Sequence, residues 1–263
     1  MVMKTLRNLI ILGAIISLAS CTQTSLQEQA VSATFQVNTP ATKTLGDGTS
    51  ATMLAVRVYD AKGRFLKETV ATAQDDGWNV TLMLVEGTYS FSFWAYSQDA
   101  DAFSVWEALM TVDYSKMDMN GDAEDAFWGS VQNKEVNNSF TQNITLSRPF
   151  AQLEVLAGDI DQNIMSGAVS AFKLEGDIPT VFNLITGETS SNAASVAYEA
   201  AAIPGNEIDG QILVAATYML APQQETILSS VNFRVDFSDR SYIDLTAQDV
   251  PVCRNHKTII KDN

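Results

Sequence analysis

The sequence predicts an all-β protein, two tandem antiparallel β-sandwiches behind an N-terminal export signal. Three observations carry this. Apolar residues recur with a period of two from Val31 onward. Gly, Asn and Asp turn signals punctuate those runs. Helical periodicity is thin, with residues 101–110 and 191–202 as the only short helix candidates.

Residues 1–20 read as a signal peptide. Lys4 and Arg7 make a positive start, and residues 9–19 form an almost unbroken apolar run. Such a run suits a signal segment and falls short of the roughly 20 apolar residues of a membrane-spanning helix. It ends in Leu18-Ala19-Ser20-Cys21, which resembles the lipobox of bacterial lipoproteins. That resemblance implies a lipidated Cys21 as the mature N-terminus, held in the outer membrane. At about 0.8 kcal/mol per buried methylene, a triacylated anchor is effectively permanent. Residues 21–30 are polar and read as a flexible tether.

The first sandwich is expected over residues 31–147. Val31, Ala33, Phe35 and Val37 alternate with Ser32, Thr34 and Gln36. Leu54, Val56 and Val58 follow the same rule, then Val80, Leu82 and Leu84, then Tyr89, Phe91 and Phe93. β-branched and aromatic residues at period two describe strands with one buried and one wet face. Turn signals separate them at Asp47-Gly48, Asp60-Ala61-Lys62-Gly63, Glu86-Gly87 and Asn120-Gly121. Pro149 cannot donate to a ladder and restricts Arg148, so a break is placed there. The second sandwich is expected over residues 148–263. In it Leu153 and Val155 alternate with Gln152 and Glu154, and Val231, Phe233 and Val235 with Asn232 and Arg234.

Charge excludes one class of partner. The chain carries 31 acidic residues against 16 Lys and Arg, a net −15. Without Lys4 and Arg7 the balance is 14 against 31, or −17. Such a surface repels phosphate backbones and disfavours nucleic acid.

Catalytic and metal patterns are weak. The single histidine, His256, excludes multi-histidine metal sites and argues against a Ser-His-Asp triad. With Cys21 lipidated, Cys253 is left alone and no internal disulfide forms. Cys253 and His256 lie three apart, which on a strand puts them on opposite faces. Asp118, Asn120 and Asp122 have the start of a calcium-loop spacing, but Ala123 stands where Gly is needed and Gly129 where the bidentate Glu belongs. We therefore expect a non-enzymatic protein with no metal and no cofactor. Trp78, Trp94, Trp106 and Trp128 all fall in the first half. Trp94 lies opposite Phe91 and Phe93 on its strand, so it is either a sugar-stacking ring or a residue covered by another part of the protein. Arg148 is expected to pair with an acid at the junction.

Several phrases, taken in order, resemble the fimbrillin-like lipoproteins of Bacteroides and relatives, the type V pilus and anchor proteins. They are residues 42–48 (TKTLGDG), 54–60 (LAVRVYD), 89–95 (YSFSFWA), 125–128 (DAFW), 148–153 (RPFAQL) and 250–260 (VPVCRNHKTII). The resemblance implies two transthyretin-like sandwiches and a role as a fimbrial subunit or anchor at the cell surface, with fimbrial-type proteins or further copies as partners. It also implies assembly by strand addition after a protease removes the first strand. Residues 31–37 have the alternation of such a strand, and Lys43 and Arg57 are the basic residues that follow it. The same segment also reads, and reads better, as an ordinary permanent strand. Family members continue past the Arg-Asn-x-x-Thr phrase with a Gly and an apolar tail, whereas this sequence ends at Lys261-Asp262-Asn263. That difference suits an anchoring or terminal unit. The alternative function is an outer-membrane carbohydrate-binding lipoprotein that uses exposed tryptophan.

Overall fold

The computed structural model describes residues 30–39, 51–74, 77–121, 125–158 and 165–261. Cys21, the signal segment, Lys43 and Asp122 lie outside them, as does nearly all of the tether.

Among the described residues nine strands precede Pro149. They are β1 (Val31–Asn38), β2 (Met53–Asp60), β3 (Phe65–Thr72), β4 (Trp78–Leu84), β5 (Gly87–Tyr96), β6 (Phe103–Trp106), β7 (Leu109–Val112), β8 (Phe127–Val136) and β9 (Phe140–Thr145). Nine follow it: β10 (Phe150–Ala157), β11 (Val169–Asn183), β12 (Thr189–Ala197), β13 (Ala201–Ala202), β14 (Glu207–Ile208), β15 (Gln211–Leu220), β16 (Thr226–Asp236), β17 (Tyr242–Val252) and β18 (Lys257–Lys261).

The pairing repeats. In the first sandwich the sheet β4-β1-β9 faces the sheet β3-β2-β5-β8. In the second, β15-β10-β18 faces β12-β11-β16-β17. Strand for strand, β10 takes the place of β1, β11 of β2, β15 of β4 and β18 of β9. The two sets of seven therefore share one order, and among the described residues the second sandwich carries β6, β7, β13 and β14 in addition. Inward residues form two apolar clusters, one around Phe35, Phe91, Phe93 and Phe127 and the other around Phe150, Phe172, Phe182 and Phe233.

Four expectations need correction. The sheets are not purely antiparallel, since β1 pairs parallel with β9 and β10 parallel with β18. In each sandwich the first strand lies beside the last, and period two cannot report strand direction. Residues 101–110 form no helix but the hairpin β6–β7. Trp106 stands opposite Leu109, and Glu107 takes a positive φ of 51° in the two-residue turn. Residues 191–202 form no helix either. Most of the segment is β12, where pairing with β11 overrides the helical preference of its alanines. Gln152 and Glu154 do not face water. Every residue of β10 is buried, because both faces of its sheet are covered.

The β6–β7 hairpin belongs to the second sandwich although it arises between β5 and β8. β7 pairs with the end of β11 through Val181, Phe182 and Asn183. The chain then makes a single 3-10 turn, Tyr114–Lys116, capped by Asp113. Met110, Val112, Tyr114, Met117, Met119 and Ala126 all join the second apolar cluster.

Candidate functional site

The best-defined feature with a functional reading is the groove occupied by β1. The strand is central in its sheet. Seven residue pairs join it antiparallel to β4 and six join it parallel to β9. Ala33, Phe35 and Val37 point inward and are fully buried, while Gln36 and Asn38 are exposed. The Phe35 ring contacts Phe91, Phe93 and Phe140, with centroids 4.9, 5.0 and 5.7 Å away. Alternate pockets flanked by two ladders are the chemistry by which one extended segment recognises another groove.

The two predicted processing residues separate. Lys43 lies outside the described residues. Arg57 lies in the middle of β2, paired with Glu68 on β3 and Ser92 on β5. Its Nε is 2.6 Å from Glu68 and its Nη1 donates to the Glu107 carbonyl at 2.8 Å. A protease needs an extended, unpaired backbone, so Arg57 is not a processing site in this fold. A cut there would also divide a strand whose Leu54, Val56 and Val58 are core residues.

The tryptophans separate too. Trp94 is only 3% exposed, edge-on to Phe103 and close to Phe150. It offers no ring face to a sugar, which overturns the stacking role and leaves its covered alternative. Trp78, at the start of β4, is buried in the core of the first sandwich. Trp128 donates its Nε1–H to the Leu184 carbonyl and packs on Phe182 at 5.1 Å. Trp106, at the hairpin tip, is 77% exposed. Arg57 Nη1 and the Tyr59 hydroxyl both donate to the Glu107 carbonyl and hold that tip.

Trp94 and Trp128 belong to a joint between the sandwiches, and Arg148 is its centre. The Arg148 guanidinium forms a bidentate pair with Asp125 at 2.5 and 2.7 Å, and both residues are buried. It also lies over Phe127 of the first sandwich and Tyr218 of the second. Arg254 packs on Phe182 and donates to the Gly187 and Ala221 carbonyls. Burial lowers the pKa of this guanidinium. Asp125, Trp128, Arg148 and Arg254 all lie in the phrases that carried the family resemblance. They turn out to be structural.

Asn120 is a clamp rather than a calcium ligand. Its Oδ1 accepts the Ala216 N–H, and its Nδ2 donates to Ser170 Oγ and the Ala202 carbonyl. Tyr114 Oη accepts the Leu220 N–H and donates to the Pro179 carbonyl, and burial raises its pKa. Asn120 and Tyr114 thus occupy edge positions along β15. Sequence reasoning did not single out Tyr114, which carries no local signal. Cys253 and His256 lie in the turn between β17 and β18, not on a strand. Cys253 Sγ contacts the Gln223 carbonyl and His256 Nδ1 the Arg254 carbonyl, so the two do not form a dyad.

Among the described residues no helix is long and apolar enough to cross a membrane. No curated protein matches the chain in sequence. Solved structures share its fold at low identity. A candidate adhesin from Bacteroides ovatus superposes with a TM-score of 0.52 at 10% identity, covering 83% of this chain and 76% of that one. Another candidate adhesin, from Bacteroides thetaiotaomicron, gives 0.52 at 13%, covering 82% and 80%. Candidate polysaccharide-binding proteins from the same organism give 0.53 at 10%, covering 82% and 80%. One family model spans nearly the whole sequence, residues 23–263, and the chain belongs to that family, described as a family of unknown function (DUF6562).

Proposed function

We propose that this chain is a non-enzymatic, adhesin-type surface protein that assembles with fimbrial-type proteins, or with its own copies, by strand addition at the β1 groove. The observation that carries the reading is the position of β1. It is a central strand, alternately buried, and bonded on both sides by main chain. Its removal would leave a gap between β4 and β9 shaped for another strand of the same pattern. The shared fold of the Bacteroides candidate adhesins supports the same class of role. Residues 31–147 and 148–263 serve as the two domains, with β6, β7 and the 3-10 turn Tyr114–Lys116 lent to the second. Cys21 carries the lipid that holds the protein at the outer membrane, and Lys43 lies where a cut would free β1 from β2.

The test is strand exchange. A specific protease site is inserted at Gly46-Asp47-Gly48, the purified protein is cut, and a labelled peptide of residues 31–38 is added. Capture of the peptide with displacement of the native segment supports the proposal. A cut protein that keeps its own strand indefinitely, or that unfolds without capturing the peptide, overturns it.

A further inference from the structure

A second surface has the make-up of a binding site, and its argument is independent of strand exchange. β16 turns Val231, Phe233 and Val235 into the core. Period two therefore places Ser230, Asn232, Arg234 and Asp236 on the outer face. Their neighbours on β17 are Gln248, Thr246, Asp244 and Tyr242, and Ala171 of β11 stands opposite Arg234. Ala197 of β12 is paired with Lys173 of β11. Small residues at positions 171 and 197 leave a shallow groove of about 400 Å³ across the strands, between Lys173, Asn232 and Thr246 on one side and Arg234 and Asp244 on the other.

The polar groups along this groove hold one another in place. Thr246 donates to Asn232 Oδ1, Asn232 Nδ2 to Ser230, and Ser230 and Lys173 to the two oxygens of Glu175. Arg234 is paired with Asp236 at 2.6 Å and with Asp244 at 3.4 Å. Hydrogen bonds from Lys173 and then Ser230 hold the Glu175 carboxyl below its ordinary pKa, and one from Arg234 does the same for Asp236. Beside the groove stands Tyr242, 59% exposed, with the Arg234 guanidinium 4.3 Å from its ring centroid.

Each cation here has a carboxylate partner, so the face presents fixed donors and acceptors with little net charge. Its slight excess is acidic, as is the whole chain at −15, which disfavours anionic ligands. A partner suited to it brings hydroxyls, which both donate and accept, together with an apolar ring face for the groove floor and Tyr242. We propose that the outer face of β11, β16 and β17 binds an uncharged oligosaccharide, with Asn232 and Arg234 contacting its hydroxyls and Tyr242 stacking on a pyranose ring.

The whole protein is applied to an array of uncharged oligosaccharides (mannose, β-glucan and N-acetyllactosamine types) and their sialylated and sulfated counterparts. The strongest free oligosaccharide is then titrated by calorimetry. Binding is expected on uncharged arms. Asn232→Ala and Tyr242→Ala should each weaken it about tenfold, and Tyr242→Phe should retain it within about threefold. The variants' thermal unfolding midpoints show that they are folded. The inference is overturned if no uncharged arm binds, if only anionic arms bind, or if folded Asn232→Ala and Tyr242→Ala bind as the parent does. In that last case a Trp106→Ala variant that loses binding would place the glycan at the hairpin tip.

Discussion

Phe35 provides the sharpest test of the β1 groove. Its ring is fully buried against Phe91, Phe93 and Phe140 at 4.9–5.7 Å. Truncating a buried Phe to Ala costs about 3–5 kcal/mol, combining lost transfer energy with the cavity left behind. In the intact chain Phe35→Ala should lower unfolding free energy by that amount. In the peptide the same loss appears as affinity. At about 1.4 kcal/mol per factor of ten, a peptide of residues 31–38 carrying Phe35→Ala should bind the vacated groove roughly two to three and a half orders of magnitude more weakly. Competition against a fluorescent parent peptide, read by anisotropy, measures the ratio. Gln36→Ala serves as control, because Gln36 is exposed and its ladder bonds are main-chain. It should bind within about threefold of the parent. A Phe35→Ala peptide less than about tenfold weaker would refute the reasoning, since the groove would then be recognising backbone without using its deepest pocket.

Three further outcomes follow from the joint and the clamp. Arg148→Ala leaves the buried Asp125 carboxylate without its bidentate partner and should cost about 3–5 kcal/mol in urea unfolding, whereas the double variant Arg148→Met/Asp125→Leu should stay within about 1.5 kcal/mol of the parent or exceed it. Asn120→Ala removes three side-chain hydrogen bonds at about 1 kcal/mol each and places Ala at a φ of 66°, a loss of about 3–4 kcal/mol measured the same way. Burial raises the pKa of Tyr114 and Tyr198, so the folded state keeps two protons that the unfolded chain releases, and stability falls as pH climbs above about 10. Phenolate absorbance followed beside circular dichroism should show these two of the seven tyrosines ionising only with unfolding, and ionisation of all seven in a folded protein would contradict it.

Period two made the β class and most strand positions legible, because each strand has one face on a core. It could not give strand direction, so the parallel pairs β1–β9 and β10–β18 were missed. It also failed where both faces are covered. Gln152 and Glu154 look like the wet side of a strand, yet both are buried, and Glu154 is met by Lys257 from β18. The β6–β7 hairpin was illegible for another reason. Its partner, β11, lies some seventy residues away in sequence, and local preference carries no record of that pairing. At the candidate site the inward set Ala33, Phe35 and Val37 was readable. The buried state of Trp94 was not decidable from its own strand, since what covers it is Phe103 of the hairpin and Phe150 of the second sandwich.

The duplicated topology allows β1 and β10 to be compared as equivalent strands with unequal restraints. β10 follows directly on Arg148, whose pair with Asp125 is buried, and Glu154 within it meets Lys257. Its first residues are bonded by the turn before β18, where Asn255 N–H donates to the Phe150 carbonyl and Gln152 N–H to the His256 carbonyl. Displacing β10 would therefore disturb a buried charge pair, which alone costs about 3–5 kcal/mol when one partner is lost. β1 places Ala33, Phe35 and Val37 in its core as β10 places its own inward residues, but polar side-chain bonds that hold it, such as Ser32 N–H to Ser139 Oγ and Thr34 to Thr81, are exposed ones. Exposed neutral bonds of that kind contribute about 1 kcal/mol each. Native-state hydrogen exchange should accordingly show β1 amides opening at a free energy several kcal/mol below that of β10 amides, about 3 or more from the charge pair alone. Equal protection of the two strands, or greater protection of β1, would mean that the inequality in restraints does not govern opening, and the case for β1 as the exchangeable strand would fail with it.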